Sequence, residues 1–230
     1  MVSNMDLVNT QDNSQVQLFA GDFPRVRKAI TILTGLVLVL GTLIGKILLG
    51  AASSAAKTGG NTGDGTLTLD ATTPILAGAK VGVYKVRVIR AAIAAVGTTP
   101  AVPAMQALVE LKDPDGNTLE VFDLPTTPGI TISNQLKFAM IEGATPFALG
   151  DGFDVTIAAG SGSYKAYDAD NVDGSQYPEL VLAEAVDSTG GAVNAIAYAS
   201  GQFNEAALTG LDANAKKLLI GKPIFFGTVN

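Results

Sequence analysis

The chain of 230 residues contains neither cysteine nor histidine. Without cysteine it has no disulfides, no thiolate nucleophile and no iron–sulfur or cysteine-ligated zinc site. Without histidine, Ser-His-Asp and Cys-His catalysis are excluded, and the commonest ligand for transition metals is missing. Any enzymatic mechanism would have to use carboxylates, lysine or tyrosine. We therefore expect a protein that is not an enzyme, with no catalytic residues, no cofactor and no metal site, stabilised by packing or by assembly.

Charged residues are also sparse, at 16% of the chain against 47% hydrophobic residues, and the net charge is −6. This composition is far from that of disordered chains, so most of the chain should fold. Nucleic-acid affinity depends largely on lysine and arginine that neutralise phosphates. The acidic balance therefore predicts no nucleic-acid partner.

The uncharged, largely apolar run Ala29–Gly45 follows a basic cluster and has the hydropathy of a membrane anchor or a signal sequence. Gly35 and Gly41 interrupt it, however, and Lys46 ends it before about 18 apolar residues accumulate. Its Ile, Val and Thr content favours strands. We expect buried strands with turns at the two glycines, and no membrane partner, while a membrane helix and a signal sequence remain the alternatives.

Short alternating segments indicate strands in the middle of the chain. Apolar and charged residues alternate along Tyr84–Arg90, which is typical of a half-exposed strand. The runs Met105–Lys112 and Thr118–Phe122 are joined by Asp113–Gly116, whose Asp-Pro-Asp-Gly sequence favours a hairpin turn. Further strands are predicted at Gln135–Met140 and Phe153–Ala158. The middle third should form a small all-β unit, a sandwich.

Composition changes sharply at Gly50–Gly65, where Ala, Ser, Gly and Thr predict a linker or long loop. Asn204–Leu219 favours one or two short helices, and Asp212 has the side chain of an N-cap. A final strand is predicted at Pro223–Val229. Together these patterns predict a mainly β fold with short helices.

Three motifs partly match phosphate-binding or calcium-binding loops. Gly41–Lys46 has the wrong glycine spacing for a phosphate loop and lacks the Ser or Thr after lysine, and Gly59–Gly65 is only a weak phosphate-loop signal. In Asp168–Gly174, alignment of the glycine with a calcium loop leaves both anchoring carboxylates missing. Glu184, Asp187 and Glu205 are expected to be solvated or to cap turns and helices, not to form a hydrolase pair.

Five segments, in order, resemble the head decoration proteins of lambda-type tailed phages. They are FAGDFPRV (Phe19–Val26), GTLIGKI (Gly41–Ile47), YKAYDADNVDGSQ (Tyr164–Gln176), LVLAEAVDSTGG (Leu180–Gly191) and GQFNEAALTGLDANAKKLL (Gly201–Leu219). The resemblance covers only the two ends of the chain. NTGDGTL, DPDG and GATPFALGDGFDVTIAAG resemble an insert in longer phage proteins of the same family.

The resemblance implies three parts of the chain. A flexible N-terminal arm would span residues 1–15, and a discontinuous decoration domain would comprise residues 16–50 and 155–230. An inserted β domain, similar to a sandwich, would occupy residues 51–154. Insertion at an exposed loop is tolerated in many folds.

The resemblance also implies a homotrimer on the outer surface of the capsid in the virion, with the major capsid protein as partner. It would bind after expansion of the shell and reinforce the head. From the residues themselves, the apolar segment after the arm could add a strand to a neighbouring sheet. The capsid-binding candidates are therefore Val16, Leu18, Phe19 and Phe23. The alternative is a surface or fibre adhesion module whose β insert binds carbohydrate or protein, and a carboxylate-dependent hydrolase ranks third.

Overall fold

The structure is a computed structural model that describes residues 17–94, 104–125 and 128–229. The chain divides into two compact units. Unit 1 comprises Met1–Gly45, Tyr164–Tyr167 and Tyr177–Asn230, and unit 2 comprises Lys46–Ser163 and Asp168–Gln176. The predicted arm and Val16 lie outside the described residues.

Strands dominate the described chain, and the mainly β fold with short helices is confirmed. In chain order the elements are β1 (Arg27–Ile32), β2 (Val37–Leu38), β3 (Leu43–Lys46), β4 (Leu49–Ala56), β5 (Thr66–Leu69), β6 (Gly82–Arg90), β7 (Ala107–Lys112), β8 (Thr118–Leu124), β9 (Ile130–Ser133), β10 (Lys137–Ile141), β11 (Gly152–Ala159), β12 (Tyr164–Ala166), β13 (Pro178–Leu182), β14 (Val186–Asp187), β15 (Val193–Tyr198), β16 (Gly201–Asn204), a 3-10 turn (Glu205–Ala207), α1 (Ala213–Leu218) and β17 (Ile224–Gly227).

Unit 1 contains a closed barrel with the strand order β1-β12-β3-β13-β15. The barrel closes through β1 and β15, which pair antiparallel from Arg27↔Tyr198 to Ile32↔Val193. Alternate residues of β1, Ile30 and Ile32, are buried in a core that also takes Ile44 from β3. The apolar run Ala29–Gly45 therefore forms strands and turns, as predicted. No helix in the described ranges is long and apolar enough to cross a membrane.

A second apolar cluster of unit 1 lies where β16 and β17 pair in parallel, from Gly201↔Ile224 to Asn204↔Gly227. It contains Phe203, Ala215 of α1 and Leu219. The helix begins at the predicted N-cap, because Asp212 Oδ1 accepts a hydrogen bond from the Ala215 amide. The prediction of one or two short helices in Asn204–Leu219 is confirmed by α1 and the 3-10 turn, and the final strand is confirmed as β17.

Unit 2 contains a five-stranded sheet of order β4-β11-β6-β7-β8 and a three-stranded sheet of order β5-β10-β9. One apolar core takes side chains from both sheets, among them Tyr84, Leu111 and Phe138. In β6 the apolar residues are buried at alternate positions, as the sequence predicts. The β7–β8 hairpin is also confirmed, with Gly116 at a φ of 89° in its turn.

The prediction of a linker or long loop at Gly50–Gly65 is wrong in its first half. Leu49–Ala56 forms β4, which pairs antiparallel with β11 along the edge of the five-stranded sheet. The composition did not predict this strand, because alanine and serine have weak strand propensity. The strand forms because it pairs with β11. Ala52 packs against the core of unit 2 and anchors the strand.

Candidate functional site

The N-terminal segment of the described chain lies along β16 as an additional extended row. The Asn204 amide donates to the Leu18 carbonyl at 2.9 Å, and the Ala20 amide donates to the Gln202 carbonyl at 3.0 Å. Phe19 and Phe203 form an antiparallel bridge at the centre of this row. The segment therefore completes a small sheet within its own unit, with β16 in the middle and β17 on the far side.

Leu18 and Phe19, two of the predicted capsid-binding residues, pack inside unit 1. Leu18 is buried in the cluster that includes Phe203. The Phe19 ring lies 5.1 Å from the Tyr198 ring in an edge-to-face arrangement, with the Arg25 guanidinium 3.8 Å from its centroid. In this structure both side chains anchor the N-terminal segment, and the contact surface they offer to a partner is small.

Phe23, another candidate, lies at the surface against Phe225 of β17. Their ring centroids are 4.6 Å apart and the rings meet edge to face. Phe225 is 46% exposed, and Ile220, in the turn before β17, is 80% exposed. Sequence analysis missed both residues, although the bulk of the final Pro-Ile-Phe-Phe segment was a usable signal.

A groove of about 250 Å³ runs between the end of α1 and β17. Apolar side chains dominate its walls, chiefly Leu219, Ile220, Ile224 and Phe225. In the described part of the chain, no strand pairs with the outer edge of β17. We call Phe23, Ile220, Phe225, this groove and the open strand edge the β17 surface.

Two lysines border the groove, and each is held by a partner within unit 1. Lys216 Nζ lies 2.6 Å from Glu205 Oε2, and Lys222 Nζ donates to the Pro178 carbonyl at 2.7 Å. Their side chains are therefore oriented along the rim. The surface offers apolar contact and unpaired strand backbone, which suits a peptide strand better than a small charged ligand.

The acidic residues of the calcium-loop and hydrolase hypotheses accept hydrogen bonds from groups of their own unit or pair with its lysines. Asp168 accepts from the Asp170 amide, and Glu184 accepts from the Ile196 amide at 2.8 Å. The Thr189 hydroxyl and amide hold the pKa of Asp187 below its ordinary value. Across the described residues, no group of three acidic side chains is arranged to hold a metal ion. Asp187 caps its turn through the Thr189 amide, as predicted, whereas Glu184 accepts from a strand amide and Glu205 pairs with Lys216.

The glycine-rich loop Gly59–Gly65 directs its amides at a protein carboxylate. Asp151 accepts hydrogen bonds from the amides of Thr62, Gly63 and Ala148 at 2.9 to 3.1 Å. Burial alone raises the pKa of Asp151, but these three amides outweigh it and hold the pKa below its ordinary value. The loop is therefore a structural element of unit 2, and its Thr62 and Gly63 amides already donate to Asp151.

The comparison with protein families agrees with a β-rich chain that has an apolar strand edge. The model of the bacteriophage lambda head decoration protein D family matches residues 7–219. The chain belongs to this family. As a head decoration protein it is a structural protein of the virion that binds the phage capsid on its outside. Comparison with curated proteins found no match, and comparison with solved structures found none either.

Proposed function

We propose that this decoration protein binds the major capsid protein of an expanded head as a homotrimer at threefold positions and stabilises the shell. The observation that carries the proposal is the β17 surface. It combines exposed apolar side chains with an unpaired strand edge, in a chain whose family binds capsids.

The mode of attachment that this surface favours is strand addition. An extended segment of the capsid protein would pair with the outer edge of β17, so that main-chain hydrogen bonds supply affinity. Its apolar side chains would contact Ile220 and Phe225 in the groove. Of the predicted contact residues, Phe23 would contribute directly, and Leu18 and Phe19 would hold the surface in place. Val16 lies outside the described residues and stays a prediction.

Assembly into trimers is supported by a separate apolar patch on unit 1. Val37, Val39 and Leu40 are exposed next to one another, with Val37 at 69%. Contiguous exposed apolar residues are typical of protein interfaces, and closed symmetric assembly buries them. Each trimer would carry several attachment surfaces, so weak individual contacts would combine into high avidity.

For the domain organisation we propose a decoration domain of residues 16–50 and 155–230, with an inserted sandwich of residues 51–154 and an arm of residues 1–15. The division into two units supports a discontinuous decoration domain, since unit 1 is assembled from segments on both sides of Lys46–Ser163. The bounds differ from those proposed, because unit 2 also takes in residues 46–50, 155–163 and 168–176. The single core under two sheets supports the sandwich assignment for the insert.

The competing adhesion hypothesis requires the insert to bind carbohydrate or protein. All aromatic residues of unit 2 are buried, namely Tyr84, Phe122, Phe138, Phe147 and Phe153. Small-molecule sites depend strongly on accessible apolar and aromatic side chains. A sugar would therefore find no aromatic platform on this unit, and we favour the capsid role.

Substitution of the half-buried Phe23 and the exposed Phe225 tests the attachment surface. Phe23→Ala combined with Phe225→Ala should weaken binding to expanded, undecorated heads by about 2 kcal/mol or more, the scale of interface hot spots. Cosedimentation with heads measures this loss. Tyr177→Ala, at an exposed aromatic residue outside the β17 surface, is the matched control and should bind normally. Normal binding by the double variant would contradict the proposal.

A further inference from the structure

Two arginines of unit 1 stand on neighbouring aromatic rings beside the N-terminal segment. The guanidinium carbon of Arg25 lies 3.8 Å from the centroid of the Phe19 ring, and that of Arg27 lies 5.7 Å from the centroid of the Tyr198 ring. The two rings meet edge to face with their centroids 5.1 Å apart. Contact with a ring face restricts a long side chain, so both guanidiniums are held at one surface. We call Arg25 and Arg27 the arginine pair.

Most hydrogen-bond donors of the arginine pair have no partner in the described part of the chain. Both side chains are exposed. Within the described ranges, the one hydrogen bond from either guanidinium joins Arg25 Nη2 to the Gly21 carbonyl and is long, at 3.5 Å. No carboxylate of these ranges forms an ion pair with Arg25 or Arg27. In contrast, Arg87 and Arg90 of β6 each pair with an aspartate.

The arginine pair therefore has the chemistry of an anion-binding surface. Two like charges held side by side repel one another, and an anionic partner removes this repulsion. Arginine suits carboxylates and phosphates because its planar fork donates two parallel hydrogen bonds to them. The aromatic rings orient the guanidiniums without using these donors.

The small number of cations favours protein carboxylates over nucleic acid. Proteins that bind duplex DNA through its backbone make about 6–10 phosphate contacts. The neighbouring Lys28 adds one cation, and its Nζ lies 3.4 Å from the Tyr164 hydroxyl. A duplex would therefore meet too few cations on a chain whose net charge is −6. Two guanidiniums match two carboxylates of a peptide.

We propose that the arginine pair binds two acidic side chains of the capsid segment that occupies the β17 surface. Phe23 connects the two regions, because it contacts Phe225 and lies two residues before Arg25. Two residues of extended chain span at most about 7 Å. A capsid strand with an apolar side chain on Phe23 can thus place a carboxylate on Arg25 from a position one or two residues further along. The identity of this partner rests on the proposed function, whereas carboxylate binding itself does not.

Charge removal tests the arginine pair on heads. Arg25→Gln with Arg27→Gln should weaken cosedimentation with expanded, undecorated heads on the order of tenfold at low salt, because charges at the rim of an interface act through attraction that salt screens. In about 1 M salt, where the screening length is about 3 Å, the variant and the natural chain should bind alike.

The matched control removes the same charge from unit 2. Lys57→Gln with Lys85→Gln alters two lysines that have no ion pair within the described residues, and it should bind normally at both salt concentrations. Normal binding by the arginine variant at low salt would overturn the proposal. An equal loss at low and high salt would also overturn it, because it would show that the arginines only support the structure around Phe19.

A titration without capsids separates this inference from the proposed function. Deca-glutamate added to the full chain should produce saturable changes in the nuclear magnetic resonance signals of Arg25 and Arg27, and deca-lysine should produce none. The amide signals of the same positions should not respond in the Arg25→Gln, Arg27→Gln variant. Absence of a saturable change at these residues would overturn carboxylate binding, whether or not heads are bound. Tighter binding of a short DNA duplex than of deca-glutamate would overturn the choice of a protein partner.

Discussion

At the scale of single residues, the turn of the β7–β8 hairpin is held by a buried carboxylate. Asp113 Oδ2 lies 2.8 Å from Lys80 Nζ, and Asp113 Oδ1 accepts from the Asn117 amide at 2.8 Å. The Lys80 ammonium, together with the Asn117 side chain, lowers the pKa of Asp113 from 3.8 to about 2. The ionised form is therefore the one that stabilises the fold.

The lowered pKa of Asp113 leads to a specific pH dependence of the free energy of unfolding. Because its pKa is lower in the folded state, its contribution is fully present above about pH 4 and is lost as the pH falls through about 2. Asp113→Asn should reduce the difference in unfolding free energy between pH 5 and pH 2.5, measured by urea denaturation. Asp115→Asn removes the same charge from an exposed side chain that also contacts Lys80, and it should change the pH dependence less. A pH dependence identical to that of the natural chain would contradict this role for Asp113.

The sequence predicted the Asp113–Gly116 turn, because proline fixes φ and glycine accepts a positive φ. It did not predict that Asp113 pairs with Lys80, since that contact joins residues distant in the chain. The same limit applies to the proposed site. The sequence indicated apolar residues near the N-terminus, but the contact of Phe23 with Phe225 depends on how β16 and β17 pair.

At the scale of elements, α1 depends on its cap because six residues are too few for a helix to be stable alone. Asp212 Oδ1 accepts from the Ala215 amide at 2.5 Å, and the Tyr167 hydroxyl also donates to this carboxylate. Asp212→Ala should lower the free energy of unfolding by about 1 kcal/mol. Asp212→Asn retains a capping side chain and should lower the free energy of unfolding less. Equal losses in the two variants would show that capping is not the cause.

Strands were predicted correctly where apolar and polar side chains alternate, and were missed where the side chains are uniformly small. In β6 the alternation of buried and exposed residues is visible in the sequence. In β4 both faces carry alanine and serine, so no periodicity distinguishes a strand from a loop. The open edge of β17 could not be predicted either, because strand order is fixed by the whole sheet.

At the scale of the whole molecule, the first passage of the chain through unit 2, Lys46–Ser163, begins and ends near a pair of neighbouring strand residues. Leu49 pairs with Ala159, and the Gly160 amide donates to the Leu48 carbonyl at 2.8 Å. A two-residue Asn-Gly turn fits such an antiparallel pair. Replacement of residues 50–158 by Asn-Gly should therefore leave a folded chain that binds expanded heads, since the β17 surface belongs to unit 1.

Thermal unfolding and cosedimentation with heads check this shortened chain. A folded variant that does not bind would show that unit 2 participates in attachment. Failure to fold, both with this turn and with a four-residue turn, would contradict the proposed insertion of one domain into another.

The most direct test of the central claim is to image purified protein mixed with undecorated, expanded heads by cryo-electron microscopy. If the β17 surface binds the capsid, trimeric density will appear on the outer surface at threefold positions, with Phe23, Phe225 and the open edge of β17 against the major capsid protein. Bare heads with the protein left in solution, or density that contacts the capsid only through unit 2, would contradict it.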